Sequence, residues 1–331
     1  MCNNPIFITG VYRSGSTLIA QIINNHPKVR VIYDTLHFFR FYLGRYDPIH
    51  KRYREIVKEA AERLNKRFSI KVPSHIIIEK LNTLEKVEYK DVYSSLMKET
   101  FCNGKDDLIW GEKSLLQWSN IPTFLNMYPE GKTIQIIRDP RDVLTSYREF
   151  TIEPKYRYLD AIFTCLHSLN WIKRRGKFLP EENFILIRYE DLVHKPEQTI
   201  KKLCNFLQIK FTPIMLDSSK FTNRTNKEKW KGNSAFNDIK NEISPISVNR
   251  WRTKLDVSEL ILLESIIDES LLEEFGYLPS DIKVNARDLQ KLLNYLKNTP
   301  LIQKRLFQWL DTGEGVEKYP SDPTNPDNWE K

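Results

Sequence analysis

The chain has 331 residues, with 51 lysines and arginines against 43 aspartates and glutamates, giving a formal net charge of +8. That length, at 40% hydrophobic residues, suits a soluble protein with a sizeable core, in one large α/β domain or two smaller ones. The basic residues are spread along the chain, which favours a phosphorylated or sulfated ligand over duplex nucleic acid, and no helix-turn-helix, zinc-finger or RNA-binding signature is present.

Pro5-Ile6-Phe7-Ile8-Thr9 is a short apolar, β-favouring run and predicts a buried parallel strand. Next, Gly10 to Thr17 reads GVYRSGST, the outline of a phosphate-binding loop. Gly10 and Gly15 keep the Walker spacing, but Ser16 stands where a nucleotide kinase carries its lysine. Serine cannot neutralise a triphosphate; the loop's own cation is Arg13, whose guanidinium can fork onto a terminal anionic group. Leu18, Ile19, Ile22 and Ile23 recur at helical spacing, and Asn24-Asn25-His26-Pro27 supplies a stop. Strand, glycine-bearing turn and helix stand in the order of an anionic nucleotide site. The alternative is a serine-rich turn without a ligand.

Lys28 to Tyr33 predicts a second strand, ending at Asp34 and followed by the aromatic stretch His37 to Tyr42. Residues 50–103 read as helical with charged faces, an insertion placed to act as a lid or substrate side. A strand is expected over Lys132 to Ile137, ending at Arg138; Asp139-Pro140 then supplies an N-cap with proline at the first helical position. Asn183 to Ile187 predicts a further strand, with a helix through Thr199 to Leu207. One helix is expected over Val257 to Phe275, closed by Gly276, with two shorter ones about 285–297 and 301–310. Pro320, Pro323 and Pro326 mark an extended polar tail. Strands alternating with helices imply a parallel sheet covered on both faces.

Arg138 at a strand's carboxyl end and Ser146, about two turns into the next helix, can face the edge where open α/β sheets bind ligands. Alone, this segment also reads as a solvated, well-capped helix start. Beside a phosphate loop it makes a second anion site, an arrangement that a nucleotide with phosphate at both its 5′ and 3′ ends needs.

With these blocks in place, the chain resembles the sulfotransferases that use 3′-phosphoadenosine 5′-phosphosulfate (PAPS). GVYRSGSTLIAQIINNHPKV is similar to the family's 5′-phosphosulfate loop, and IIRDPRDVLTSYREF to its 3′-phosphate motif. RYEDLVHKPEQTIKKLCNFLQI and SVNRWRTKLDVSE follow in the family's order, so the resemblance spans about residues 5–278 and is closest to the branch of tyrosylprotein, Golgi-type and bacterial enzymes. It implies a three-layer P-loop-type α/β fold over residues 1–280, with a helical insertion at about 40–110 on the acceptor side. Residues 281–331 are left as a helical extension and polar tail.

The resemblance also assigns roles. Arg13, Ser14, Gly15, Ser16 and Thr17 would hold the 5′-phosphosulfate, and Arg138 and Ser146 the 3′-phosphate; Ser234 would close over the nucleotide or be an ordinary loop residue. The branch carries a carboxylate base 21 positions after the loop arginine, which is Asp34 here, where glutamate is more usual. Asp34 has a helix cap as its bland reading. His37 is the rival base, or one polar member of an aromatic packing surface. Lys113, in Gly111-Glu112-Lys113-Ser114, would neutralise charge at the reacting group. Tyr12 replaces the family's common loop proline, and Tyr189 and Trp251 read as packing residues.

The implied reaction is sulfuryl transfer to a hydroxyl or amine of a small metabolite, glycan or lipid. The aromatic stretch Phe38 to Tyr46 offers candidate acceptor contacts, or simply core. A kinase with a degenerate loop and a non-catalytic nucleotide-binding protein are the alternatives. No metal-ligand cluster is evident and the chemistry requires none. Cys2, Cys102, Cys165 and Cys204 form no C-x-x-C pair, and no signal segment or membrane-length apolar run is seen, so a reducing, cytoplasmic setting is expected. The sequence carries no signal for oligomeric state.

Overall fold

The computed structural model describes residues 4–150, 157–222, 229–230 and 243–312. Its apolar runs pair into one all-parallel sheet of β1 (Ile6–Gly10), β2 (Val29–Tyr33), β3 (Ile109–Lys113), β4 (Lys132–Ile137) and β5 (Phe184–Arg188), in the order β2-β3-β1-β4-β5. Strand β1 is central and buried at every position. Its alternating side chains feed two cores: Phe7 packs with Phe39 and Phe124 on one face, while Ile6 and Ile8 join Ile19, Ile22, Ile134 and Ile136 on the other. The result is the expected three-layer α/β fold.

Helix α1 (Ser16–Asn24) follows β1, and the four-residue turn α2 (Phe38–Phe41) follows β2. The expected insertion is three helices, α3 (Ile49–Phe68), α4 (Ser74–Asn82) and α5 (Tyr89–Phe101). Tyr53, Ile56, Val57, Ala60 and Leu64 recur at helical spacing on α3 and are all buried against the rings of Phe38, Phe41 and Tyr42 and their neighbours. Phe38, Phe39, Phe41, Tyr42 and Tyr46 are at most 7% exposed. The aromatic stretch is therefore core, because stacked rings such as Phe38 on Tyr93 leave an acceptor no face to touch.

The chain continues through α6 (Ile121–Met127), α7 (Pro140–Phe150), α8 (Asp160–Arg174), α9 (Tyr189–His194), α10 (Pro196–Leu207) and α11 (Trp251–Lys254). The helix expected over 257–275 is instead two, α12 (Val257–Ile266) and α13 (Glu269–Glu274). Asp268 breaks it, its carboxylate accepting the Leu271 amide at 2.8 Å as a new N-cap. Helices α14 (Ala286–Asn298) and α15 (Pro300–Thr312) form the C-terminal extension, packed on α12 and α8, and Ile302 is fully buried there. Pro320, Pro323 and Pro326 lie outside the described residues. Among the described residues, no helix is long and apolar enough to cross a membrane.

Candidate active site

Every strand end that carries chemistry opens on one edge of the sheet. Because the chain steps from β1 out to β2, returns through β3, and crosses to β4, connections leave β1 on both sides and a crevice forms at its carboxyl end. On the β1–β4 side the loop from Gly10 to Thr17 turns directly into α1. Gly15 sits at the N-cap with φ +92°, where a Cβ would fall 2.4 Å from the Tyr189 ring; at Gly10 a Cβ would meet the Ile136 carbonyl oxygen at 2.6 Å. Both glycines are required by close approach of the backbone. Ser14 Oγ donates to the Val11 carbonyl at 2.8 Å, pinning the loop, and Ser16 and Thr17 open α1 in buried positions.

Arg138 leaves the end of β4, stacks 4.5 Å over Tyr189 and donates to the carbonyls of Arg13 at 3.0 Å and Ser247 at 2.5 Å. Arg13 Nε donates to Ser146 Oγ at 2.9 Å. Arg13, Arg138 and Ser146, expected as parts of two separate anion sites, thus form one continuous cationic surface. Burial and the neighbouring Arg138 charge pull the Arg13 pKa down to about 10. A nearby anion would stabilise the charged forms of both the half-buried Arg13 and the buried Arg138.

The segment behind Arg138 is locked by its own acids. Asp139 caps α7 through the Arg141 amide at 2.9 Å and grips the Arg141 guanidinium, which lies 4.0 Å over Trp251. Asp142 accepts the amides of Asn249 and Trp251 at 2.7 and 3.0 Å, so the later SVNRW stretch is docked against α7. Trp251 is buried among these contacts, as is Tyr189 beneath Arg138.

On the β2–β3 side, Lys113 Nζ donates to Asp34 Oδ2 at 2.6 Å. The lysine is 1% exposed and the aspartate 25%, so the carboxylate is the member that faces outward. His37, the rival base, is enclosed: it shares a 2.9 Å hydrogen bond between Nδ1 and Ser114 Oγ, with its ring edge-on to Phe41. Burial, reinforced by Arg63, Arg40 and Lys113, holds its pKa well below the imidazole range, keeping it neutral.

All the sequence-derived site residues within the described region lie at this edge; Ser234 lies outside it. Two functional neighbours went unseen. Glu112 is fully buried on β3, where its carboxylate accepts the His37 amide, the Phe38 amide and the Tyr93 hydroxyl. Arg63 on α3 is likewise buried and donates to the carbonyls of Thr35 and Leu36. A glutamate amid the run Ile109-Trp110-Gly111-Glu112-Lys113 was the available signal, since a charge inside a strand between two others must be paired.

Comparison with known proteins gives the chain's family. Residues 5–213 match the model of the family described as "Sulfotransferase family". Nodulation protein NoeE of Sinorhizobium fredii is 23% identical over an alignment covering 94% of this chain and 75% of that protein. Protein-tyrosine sulfotransferase of Drosophila melanogaster is 21% identical over 89% of this chain and 52% of its own length. Among solved structures, the sulfotransferase domain of the Synechococcus PCC 7002 olefin synthase superposes with a TM-score of 0.54 at 20% identity, covering 85% of this chain and 97% of that domain. The family match spans well over half of the residues and includes the loop, both strand ends and the Arg138 segment, and on it the chain belongs to the sulfotransferase family.

Proposed function

We propose that the chain transfers a sulfuryl group from PAPS to a hydroxyl or amine of a small-molecule, glycan or lipid acceptor, releasing 3′,5′-bisphosphoadenosine. The observation that carries this reading is the juxtaposition at one sheet edge of the Arg13–Ser146–Arg138 surface and the Asp34–Lys113 pair. The residues fit the donor: Gly15 ends the loop at the N-terminus of α1, and the buried Arg138 Nε has no hydrogen-bond partner among the described residues. PAPS, when bound, supplies the activated sulfuryl group and a phosphate leaving group.

Arg13, the loop amides and the hydroxyls of Ser16 and Thr17 hold the 5′ end, while Ser14, fully buried with its hydroxyl spent on the Val11 carbonyl, shapes the loop instead of donating to the nucleotide. Arg138 and Ser146 hold the 3′-phosphate, the group that distinguishes this nucleotide from ATP. Asp34 accepts the acceptor's proton, a step worth about 10²- to 10⁴-fold. Lys113 Nζ, already poised on Asp34, balances charge as it builds on the departing oxygen. Because the leaving group is a phosphate monoester and not a polyphosphate, these side chains carry the charge without a divalent ion. The Drosophila relative's name adds a tyrosine phenol to the acceptors worth trying.

The test is transfer of label from PAPS to a panel of tyramine, N-acetylglucosamine, glucosamine and dodecyl glucoside, with excess EDTA. Transfer to at least one acceptor that persists in EDTA and falls by about 10²-fold or more in Asp34→Ala and Lys113→Ala supports the proposal. Full activity in both variants overturns the catalytic assignment.

A further inference from the structure

Asp34 stands on a loop that is unusual in its backbone. Asp34 has φ +49° and His37 φ +50°, both in the left-handed region and neither glycine. Such residues are strained and persist only where surrounding groups over-determine them. Four side chains from outside the loop do so here. Lys113 takes the Asp34 side chain and, through its carbonyl, the Asp34 amide at 3.1 Å. Arg63 takes the Thr35 and Leu36 carbonyls at 2.6 and 2.5 Å. Ser114 takes the His37 ring, and Glu112 takes the His37 and Phe38 amides.

Glu112 is the costly member of this set. A fully buried glutamate gives up its hydration, which costs stability that an apolar residue in the same place would not. Its oxygens are instead filled by two loop amides and by Tyr93 Oη at 2.5 Å. These partners tie the loop to β3 and α5, while the adjacent Lys113 on the same strand touches the reacting carboxylate. The strand end therefore sets both the position of the base and the path of the backbone that carries it.

We infer that Glu112 is a positioning residue for catalysis: by clamping the amides of His37 and Phe38 it fixes the 34–38 loop and so aims the Asp34 carboxylate. This rests on Asp34 being the base, and it concerns a residue that touches neither nucleotide nor acceptor. Glu112→Gln keeps one carbonyl acceptor but places an amide donor where the second oxygen met Phe38 and Tyr93, so the clamp loosens without leaving a void.

The experiment is a double-mutant cycle of Glu112→Gln with Asp34→Ala, measured as kcat and KM for the best acceptor of the panel above. The affinity for 3′,5′-bisphosphoadenosine is measured alongside. Glu112→Gln alone is expected to lower kcat by about 10- to 100-fold, the scale of a misplaced reacting group, with nucleotide affinity changed less than about twofold. In the Asp34→Ala background it should lower kcat no further, since there is no base left to aim. Should Glu112→Gln fail to fold, Tyr93→Phe removes one donor from the same carboxylate and should give a smaller loss with the same dependence on Asp34. Wild-type kcat in Glu112→Gln, or an equal loss in both backgrounds, overturns the inference. If Asp34→Ala itself retains full kcat, the base assignment fails, and that outcome is visible in the single variant before the cycle is closed.

Discussion

The two halves of the sheet edge are built on opposite electrostatic plans. On the β1–β4 side, Arg13 and Arg138 lie close together, and burial, with a smaller push from the Arg138 charge, depresses the Arg13 pKa. On the β2–β3 side, the charged pair is already made, Lys113 with Asp34, and the buried Glu112 is met by hydrogen-bond donors from the loop and Tyr93. On the proposed function, the first half is the one that gains its partner when the nucleotide binds, while the second has its ion pair in place beforehand. A site of this kind should bind its nucleotide through the first half and do proton transfer in the second, and each half can be broken without the other.

The largest effect is expected from Asp34→Ala, which should reduce kcat by about 10²- to 10⁴-fold. Isothermal titration of the variant with 3′,5′-bisphosphoadenosine should give wild-type affinity; a parallel loss of binding would mean that the halves are not separable. Arg138→Ala is the mirror experiment. Loss of charge-assisted hydrogen bonds, about 1.5–3 kcal/mol, should weaken the bisphosphate by about 10- to 100-fold and leave 5′-AMP binding nearly unchanged.

Smaller effects sharpen the contrast in stability. Gly15→Ala must accept φ +92° and a 2.4 Å clash with Tyr189, and should cost roughly 1–3 kcal/mol in urea unfolding, with nucleotide affinity falling as the loop shifts. Glu112 is raised by burial to about 7, against an unfolded value near 4.5. Between those values the folded state keeps a proton that the unfolded state has lost, so this residue's contribution to stability falls as pH rises through the window, by at most about 1.4 kcal/mol per unit. His37 acts in the opposite sense: depressed in the folded state, it loses stability on acidification below about 6.5. Subtracting the stability of Glu112→Gln from that of wild type at each pH isolates the Glu112 term. A flat difference from pH 4.5 to 7 would contradict a carboxyl titrating in that range.

The same contrast decides what could be read without a structure. The nucleotide half is made of contiguous pieces in which backbone, short hydroxyls and one arginine act locally, so GVYRSGST and the Arg138 to Ser146 segment declare themselves. Strands β1, β2, β4 and β5 were all legible in the sequence. Strand β3 was not, because Gly111, Glu112 and Lys113 look like a loop until pairing with β1 and β2 buries them. The acceptor half depends on that strand: Lys113 reaches Asp34 across 79 positions, and Glu112 reaches Phe38 across 74. Asp34 could be located only by counting from Arg13 within a family resemblance. Likewise the single apolar pattern over 257–275 conceals the Asp268 cap, because periodicity reports burial and not where a helix pauses.

The most direct measurement of the central claim is the unfolding temperature of the wild type and of Arg138→Ala with 3′,5′-bisphosphoadenosine, ATP and 5′-AMP at equal concentrations. The wild type should show a clearly larger rise with the bisphosphate, reduced to the level of 5′-AMP by the substitution. Equal shifts from all three nucleotides in wild type would contradict recognition of a 3′-phosphate by Arg138 and Ser146.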